Sequence, residues 1–253
     1  VAVIAWFVAP SQYEFMQRSL RGGAWAATIC AVVGTWVVLR GLAFMGDALA
    51  HGVLPGIALA FLWGFALPLG ALASAAVMVG GINLVNRRGN LREDTGIGLL
   101  FVGMLALGVI IISRASTFST ELTGFLFGNV LGVTTTDLRT QAVAAVLTIV
   151  ACTLLYRPFL ALAFNQDKAA LLGLRPRLAN VVLLGLIAIA VVSSFRAVGT
   201  LLVFGLLIAP PATASLLVRR VPTMMVTAAA IGVASVALGL VLSSVNQRLL
   251  ELE

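Results

Sequence analysis

Long apolar runs alternate along this chain with short clusters of Arg, Pro, Asn and Asp. Several runs approach or exceed the roughly 20 residues that an α-helix needs to cross the hydrocarbon core of a bilayer. Residues 183–192 are apolar on every side, whereas the strands of a membrane β-barrel alternate apolar and polar side chains. The pattern therefore predicts an all-α, polytopic integral membrane protein.

We predict a single transmembrane domain that covers residues 1–253 and contains about eight transmembrane helices. Residues 10–22 alternate polar and apolar positions at helical spacing, which predicts a surface helix leading into the first span. The predicted spans are residues 24–39, 42–62, 67–85, 95–112, 138–155, 178–194, 198–217 and 223–242.

Composition agrees with this class, because 61% of the residues are hydrophobic and only 10% are charged, whereas soluble domains are about half apolar. The net charge of +7 raises the question of nucleic-acid binding. The basic residues lie at the ends of apolar spans rather than on one face, so no nucleic-acid partner is expected. By the positive-inside rule they predict three cytoplasmic loops, which contain Arg87, Arg88 and Arg92; Arg157, Lys168, Arg175 and Arg177; and Arg219 and Arg220.

The strongest candidates for a functional site are Asp47 and His51, which lie four residues apart inside the predicted span 42–62. A carboxylate there is costly unless it faces protein, water or an ion. Four residues are about one helical turn, so the two side chains share a face and could hold one cation with oxygen and nitrogen donors. Pro55 lacks an N–H, which predicts a kink and a His51 carbonyl without its helical donor. His51 is the sole histidine of the chain.

Several enzyme classes require motifs that this chain lacks. A nucleotide-binding P-loop ends in Lys followed by Ser or Thr, but the sole lysine, Lys168, is followed by two alanines. A metalloprotease helix needs two histidines around a glutamate, and only His51 is present. A Ser–His hydrolase stays formally open, although no Gly-x-Ser-x-Gly motif accompanies His51. We therefore expect a non-enzymatic subunit that depends on another protein for any ATP hydrolysis.

Residues 157–180 form a predicted link of about two dozen residues, and long ordered links are commonly functional. We predict that residues 157–177 form a cytoplasmic loop with a short helix, because Asp167 suits a helix start and Gly173 a helix end. Such a helix could dock into a groove of a soluble motor subunit or simply lie at the membrane interface. The residues assigned to docking are Asp167, Ala170, Leu172, Gly173, Leu174 and Arg175.

The remaining polar and small residues favour structural roles. Glu93, Asp94 and Asp137 lie at predicted helix starts, where carboxylates cap free N–H groups. Cys30 and Cys152 lie inside spans and are interpreted as buried apolar fillers. The pair Pro210 and Pro211 releases two carbonyls, which marks either a gate or a packed kink. Three glycines of one region favour close helix packing, namely Gly46, Gly52 and Gly56.

Residues 46–56 read Gly-Asp-Ala-Leu-Ala-His-Gly-Val-Leu-Pro-Gly. This run resembles the signature of the permease subunits of bacterial ABC importers for manganese, zinc and sometimes ferrous iron, the ABC-3 metal permease family. Further blocks similar to that family follow in the same order and extend over nearly the whole chain, at residues 93–98, 126–132, 172–175, 198–204 and 208–210.

The resemblance implies a multi-pass permease of the bacterial inner membrane that forms a homodimer within the lipid bilayer. It implies a cytoplasmic ATP-binding subunit docked at the 157–177 loop and an extracytoplasmic metal-binding protein that delivers the ion. It places the metal path at Asp47 and His51, with no permanently bound cofactor and a transported Mn²⁺, Zn²⁺ or Fe²⁺. Two alternatives stay open: a metal-free Asp47–His51 ion pair, and an ion-coupled secondary carrier in which the two residues relay protons.

Overall fold

The computed structural model describes residues 14–88, 93–113, 132–164 and 175–250. Within these ranges the chain forms ten α-helices and no β-strand, which confirms the all-α prediction. The helices are α1 (Glu14–Leu39), α2 (Ala43–Gly52), α3 (Leu54–Trp63), α4 (Leu67–Arg88), α5 (Glu93–Ser113), α6 (Thr135–Leu154), α7 (Tyr156–Phe164), α8 (Pro176–Val198), α9 (Thr200–Leu217) and α10 (Val221–Leu250).

The membrane spans agree with the sequence pattern. Seven stretches of the described chain are long and apolar enough to cross a bilayer, and the consecutive helices α2 and α3 together provide one of them, Phe44–Trp63. The apolar stretch Leu201–Leu217 of α9 is shorter. Each predicted span therefore corresponds to a helix or a helix pair, and the prediction of about eight spans is confirmed as an approximate count.

Helix α1 occupies the centre of the bundle and packs against α6, α8, α9 and α10. Of its most apolar window 72% is buried, compared with 11% for α10. Small residues allow this close packing, because a Cβ atom added at Gly34 would collide with the backbone carbonyl of Leu207 in α9. The centre of the bundle thus depends on glycine as well as on apolar burial.

The peripheral helices present large apolar side chains outward. Such exposure is unfavourable in water and is expected where lipid is the solvent. The most exposed of these side chains on α5, α6, α9 and α10 include Leu99, Val102, Val143, Leu154, Leu216 and Val226.

One end of the bundle collects the ends of α1 and α6 and the start of α8. The ring of Trp36, near the end of α1, lies 5.6 Å from the ring of Tyr156, two residues after the end of α6. Arg40 Nη1 donates a hydrogen bond of 2.5 Å to Oδ1 of Asn180, the fifth residue of α8. Helices α1 and α6 therefore run parallel, and Arg40 lies at the same end as Arg157. This arrangement agrees with the cytoplasmic loops predicted from the basic clusters.

Two segments differ from the sequence-based prediction. The predicted surface helix 10–22 is, from Glu14 onward, continuous with the spanning helix α1, and its residues 10–13 lie outside the described ranges. The predicted long link 157–180 is helical at both ends, since α7 continues to Phe164 and α8 begins at Pro176. Burial of Phe159 and Leu162 anchors α7, and the fixed φ of a proline suits the first position of α8.

Candidate metal path

Asp47 and His51 both lie on α2, one helical turn apart. The distance from His51 Nε2 to Asp47 Oδ1 is 3.4 Å, and the side chains are 23% exposed for His51 and 29% for Asp47. Sequence spacing predicted this shared face. The structure brings the two side chains within reach of one cation while leaving each of them partly accessible.

The two residues lie on the open face of α2. Phe44, Asp47 and His51 are at least partly exposed, whereas Met45, Ala48 and the other described side chains of this helix are buried. The spacing of the open residues, three and then four, defines a single stripe along the helix. Polar and aromatic side chains therefore line this stripe together.

An aromatic wall from α5 borders the stripe. The ring of His51 approaches the ring of Phe101 edge-on, with centroids 5.9 Å apart. Phe101 also approaches Phe44 edge-on, at 5.5 Å. These contacts hold the imidazole between its own helix and α5, so the orientation of one nitrogen donor is set by apolar packing rather than by a second hydrogen bond.

The opposite face of α2 is fixed by close helix packing. A Cβ atom at Gly46 would lie 2.6 Å from Cδ2 of Leu207 in α9, and one at Gly52 would collide with the sulfur of Met78 in α4. The packing role predicted for these glycines is confirmed. Because α2 has no room to turn about its axis, the Asp47–His51 stripe keeps its direction.

The helix breaks at Val53, directly after the site. Val53 separates α2 from α3, and Pro55 occupies the first turn of α3, as expected for a residue without an N–H. Ser74 of α4 donates a 2.8 Å hydrogen bond to the carbonyl of Gly52. The carbonyl of His51, predicted to lose its helical donor, is approached by the N–H of Val53. The interruption is confined to Val53, which keeps helical φ and ψ and whose N–H still donates to the carbonyl of Leu49.

One chain supplies two side-chain donors. In the part of the chain that the structure describes, no group of three or more His, Cys, Asp and Glu side chains is placed to hold a metal ion. A divalent cation bound by Asp47 and His51 therefore needs further ligands from water, backbone carbonyls or another chain. A site with so few protein ligands suits an ion in transit better than one held permanently.

Most of the predicted docking residues lie outside the described ranges. Arg175 is described: it is exposed and adopts a left-handed backbone conformation with φ of 42° directly before α8. This conformation is uncommon for residues other than glycine, and it turns the chain sharply into α8. The undescribed members of the set are Asp167, Ala170, Leu172, Gly173 and Leu174.

The capping, cysteine and proline residues singled out in the sequence have structural rather than ion-binding contacts. Asp137 and Thr134 form a reciprocal capping box at the start of α6, which confirms the predicted cap. Cys30 and Cys152 are buried and free of disulfide bonds. Pro211 lies inside α9, and the carbonyl of Leu207, which this proline leaves without its helical donor, lies against Gly34 of α1.

Sequence reasoning missed Ser74 and Phe101. A lone serine within an apolar span is a signal for a hydrogen bond across helices, so Ser74 could have been singled out. No sequence signal identifies Phe101, because its contact with His51 joins two spans about fifty residues apart in the printed sequence and aromatic residues are common in apolar spans.

Comparison with known proteins gives one consistent family. The model of the ABC 3 transport family matches residues 12–248. The manganese transport system membrane protein MntC of Listeria monocytogenes is 36% identical over 92% of this chain and 82% of its own length. The chelated iron transport system membrane protein YfeD of Yersinia pestis is 35% identical over 92% of this chain and 78% of its own length.

A solved structure has the same fold. PsaBC from Streptococcus pneumoniae, determined in complex with a Fab, superimposes with a TM-score of 0.81 and 28% sequence identity. The alignment covers 96% of this chain and 93% of that chain. The arrangement of α1 to α10 therefore matches that of the PsaBC chain over nearly its full length.

Proposed function

The chain belongs to the ABC 3 transport family, and from this premise we propose that it is the membrane-spanning permease of an ATP-driven importer for divalent metal ions, with Asp47 and His51 in the ion path. Manganese is the first candidate cargo, followed by iron, because the similar proteins MntC and YfeD are named for manganese and chelated iron transport. Zinc follows from the donor chemistry, since carboxylate and imidazole ligands suit Zn²⁺ as well.

The observation that carries this proposal is the placement of Asp47 and His51 on the open face of α2. A purely structural ion pair within a membrane protein is expected to be in close contact and enclosed by neighbouring helices. Here the two side chains are 3.4 Å apart and each is about one quarter exposed. Partial access on a face bordered by apolar rings is the arrangement expected for groups that receive an ion and release it.

The two protein donors fit transport rather than storage. A site that conducts an ion must bind it strongly enough to replace part of its water shell and weakly enough to let it leave. Two side chains per chain are few for a Mn²⁺ or Zn²⁺ site, and a two-fold axis beside α2 would bring in the same pair from a second copy. We therefore propose a homodimer in which two Asp47–His51 pairs face one path.

Energy for transport comes from a separate subunit in this proposal. Residues 157–177 provide the docking region for a cytoplasmic ATPase, and an extracytoplasmic binding protein delivers the ion at the opposite side. The link from Arg40 to Asn180 supports this arrangement, because it connects the start of α8, next to Arg175, with the end of α1, shortly before α2. Movement of the docking region could thus reach the helix that carries Asp47.

The competing function is a secondary carrier in which Asp47 and His51 move protons. Reconstitution of the permease with its ATPase in proteoliposomes distinguishes the two, with manganese, zinc or ferrous iron supplied outside together with the binding protein. We expect metal accumulation that requires ATP and stops when the ATPase subunit is omitted. Accumulation driven by a proton gradient without ATP would instead support the secondary carrier.

A further inference from the structure

A cavity of about 660 Å³ lies between α1, α6, α7 and α10. Its size falls within the range of roughly 300–1,000 Å³ that is typical of ligand pockets. None of its lining residues belongs to α2 or α5, the helices that carry Asp47, His51 and Phe101. The cavity is therefore separate from the metal path, and its occupant does not follow from the transported ion.

The walls of this cavity are apolar and open toward the periphery of the bundle. Val32 of α1, Ile149 of α6 and Val226 of α10 contribute to the lining, and Val226 is 70% exposed. Helices α6 and α10 are among the least buried spans. In a bilayer the opening therefore faces hydrocarbon, and an acyl chain is the apolar molecule available there in quantity.

The mouth of the cavity carries a positive charge. Arg157, at the start of α7, lines the cavity beside Tyr156 and Pro222. Arg219 and Arg220 are exposed just before α10 and so lie close to Pro222 in the chain. Neither of the ion pairs Glu14–Arg18 and Asp47–His51 involves Arg157, and no acidic side chain is among the residues that line the cavity.

The side of the membrane on which Arg157 lies indicates what kind of ligand the cavity binds. Arg157 and Arg219 belong to the basic clusters that the positive-inside rule places on the cytoplasmic side. The cytoplasmic leaflet is rich in anionic lipids, and basic pockets between transmembrane helices on this side bind their headgroups. A guanidinium can contact a phosphate with two parallel hydrogen bonds, so an anionic phospholipid matches both the mouth and the walls.

We propose that this cavity binds one anionic phospholipid per chain, with an acyl chain between α1, α6 and α10 and the phosphate on Arg157. The lipid fastens α7, which forms the first part of the docking region 157–177, to α10 and α1. It thereby makes the stability of this cytoplasmic end depend on membrane composition. The proposal requires a bilayer and not a particular metal, so it stands or fails separately from the proposed transport function.

Native mass spectrometry of the purified complex, incubated with phosphatidylglycerol or phosphatidylcholine, measures this binding directly. The wild-type permease retains one phosphatidylglycerol per chain in preference to phosphatidylcholine. Arg157→Gln lowers phosphatidylglycerol retention about five-fold, because one basic side chain near an anionic surface contributes about 1 kcal/mol. Ala229→Trp, which fills the lining position Ala229, lowers retention of the lipid without changing the charge.

Two matched variants serve as controls. Arg139→Gln removes an exposed arginine near the start of α6, and Ala230→Trp adds the same bulk at an exposed position next to the lining; both keep the lipid. Equal retention of the two lipids, or unchanged phosphatidylglycerol in Arg157→Gln and Ala229→Trp, would overturn the proposal. Loss of the dimer or of the bound ATPase in Ala229→Trp, with lipid retained, would assign the cavity to a protein partner and contradict it as well.

Discussion

The hydroxyl of Ser74 donates a 2.8 Å hydrogen bond to the carbonyl of Gly52, and so connects α4 with the last residue of α2. This carbonyl lies directly before Val53, the residue between α2 and α3, and Pro55 removes one backbone donor from the same region. Ser74 is buried, with 6% of its surface exposed. The serine therefore supplies a donor to backbone at membrane depth, where unsatisfied polar groups are costly.

Removing this donor destabilises the permease. Ser74→Ala leaves the Gly52 carbonyl without its partner from α4, and we expect a loss of about 1–2 kcal/mol in the free energy of unfolding. Denaturant titration of the purified protein in detergent–lipid micelles measures this loss. Ser113→Ala is the control, because its exposed hydroxyl bonds within its own helix to Ile110, and its effect should stay within about 0.5 kcal/mol.

The close contact between Gly56 of α3 and Gly70 of α4 predicts that a larger side chain at Gly56 lowers the free energy of unfolding. A Cβ atom at Gly56 would lie 2.6 Å from Cβ of Ser74 and would collide with the carbonyl of Gly70. Gly56→Ala should therefore cost about 1–3 kcal/mol through overpacking between α3 and α4. Gly80→Ala, where nothing lies within 4 Å, should be neutral or stabilising because alanine favours helix. Equal effects of both variants in the same titration would contradict this packing.

The hydrogen bond between Arg40 and Asn180 predicts coupling between ATP hydrolysis and transport. Arg40→Gln and Asn180→Ala should each lower the metal transported per ATP hydrolysed, since both remove the link between α1 and α8. The double variant should be little worse than either single variant, with an interaction energy of order 1–3 kcal/mol in a double-mutant cycle on stability. Strictly additive effects on both quantities would show that the two residues act independently.

If residues 157–177 dock the ATPase, binding of the ATPase to the permease should depend on Leu172 and Leu174. Leu172→Asp places a charge on the apolar body of the predicted docking helix, and Leu174→Asp places one directly after its predicted end at Gly173. We expect less ATPase to co-purify with either variant. Leu216→Asp is the control at the same end of the bundle, because Leu216 lies one residue before the end of α9 and is 87% exposed. Retention of the ATPase by both docking variants would refute the assignment of residues 157–177.

The sequence was sufficient for the features that depend on local chemistry. Continuous apolar runs predicted the spans, four-residue spacing predicted that Asp47 and His51 share a face, and Thr134 with Asp137 predicted a helix cap. Contacts between distant spans could not be predicted from the sequence, because apolar side chains such as Phe101 and Leu207 give no signal of which helix they contact. Helix α7, at the beginning of the link 157–180, was not predicted, because its burial depends on contacts with helices that are distant in the chain.

The most direct test of the account is metal accumulation by cells that carry the complete transport system with single substitutions in this chain. Asp47→Asn and His51→Ala should each abolish accumulation of the transported ion, because each removes one of the two donors. Asp137→Asn is the matched carboxylate control: Asp137 caps α6 away from α2, and its variant should accumulate metal normally. Wild-type accumulation in Asp47→Asn or His51→Ala, with the protein inserted at normal levels, would contradict the proposed ion path.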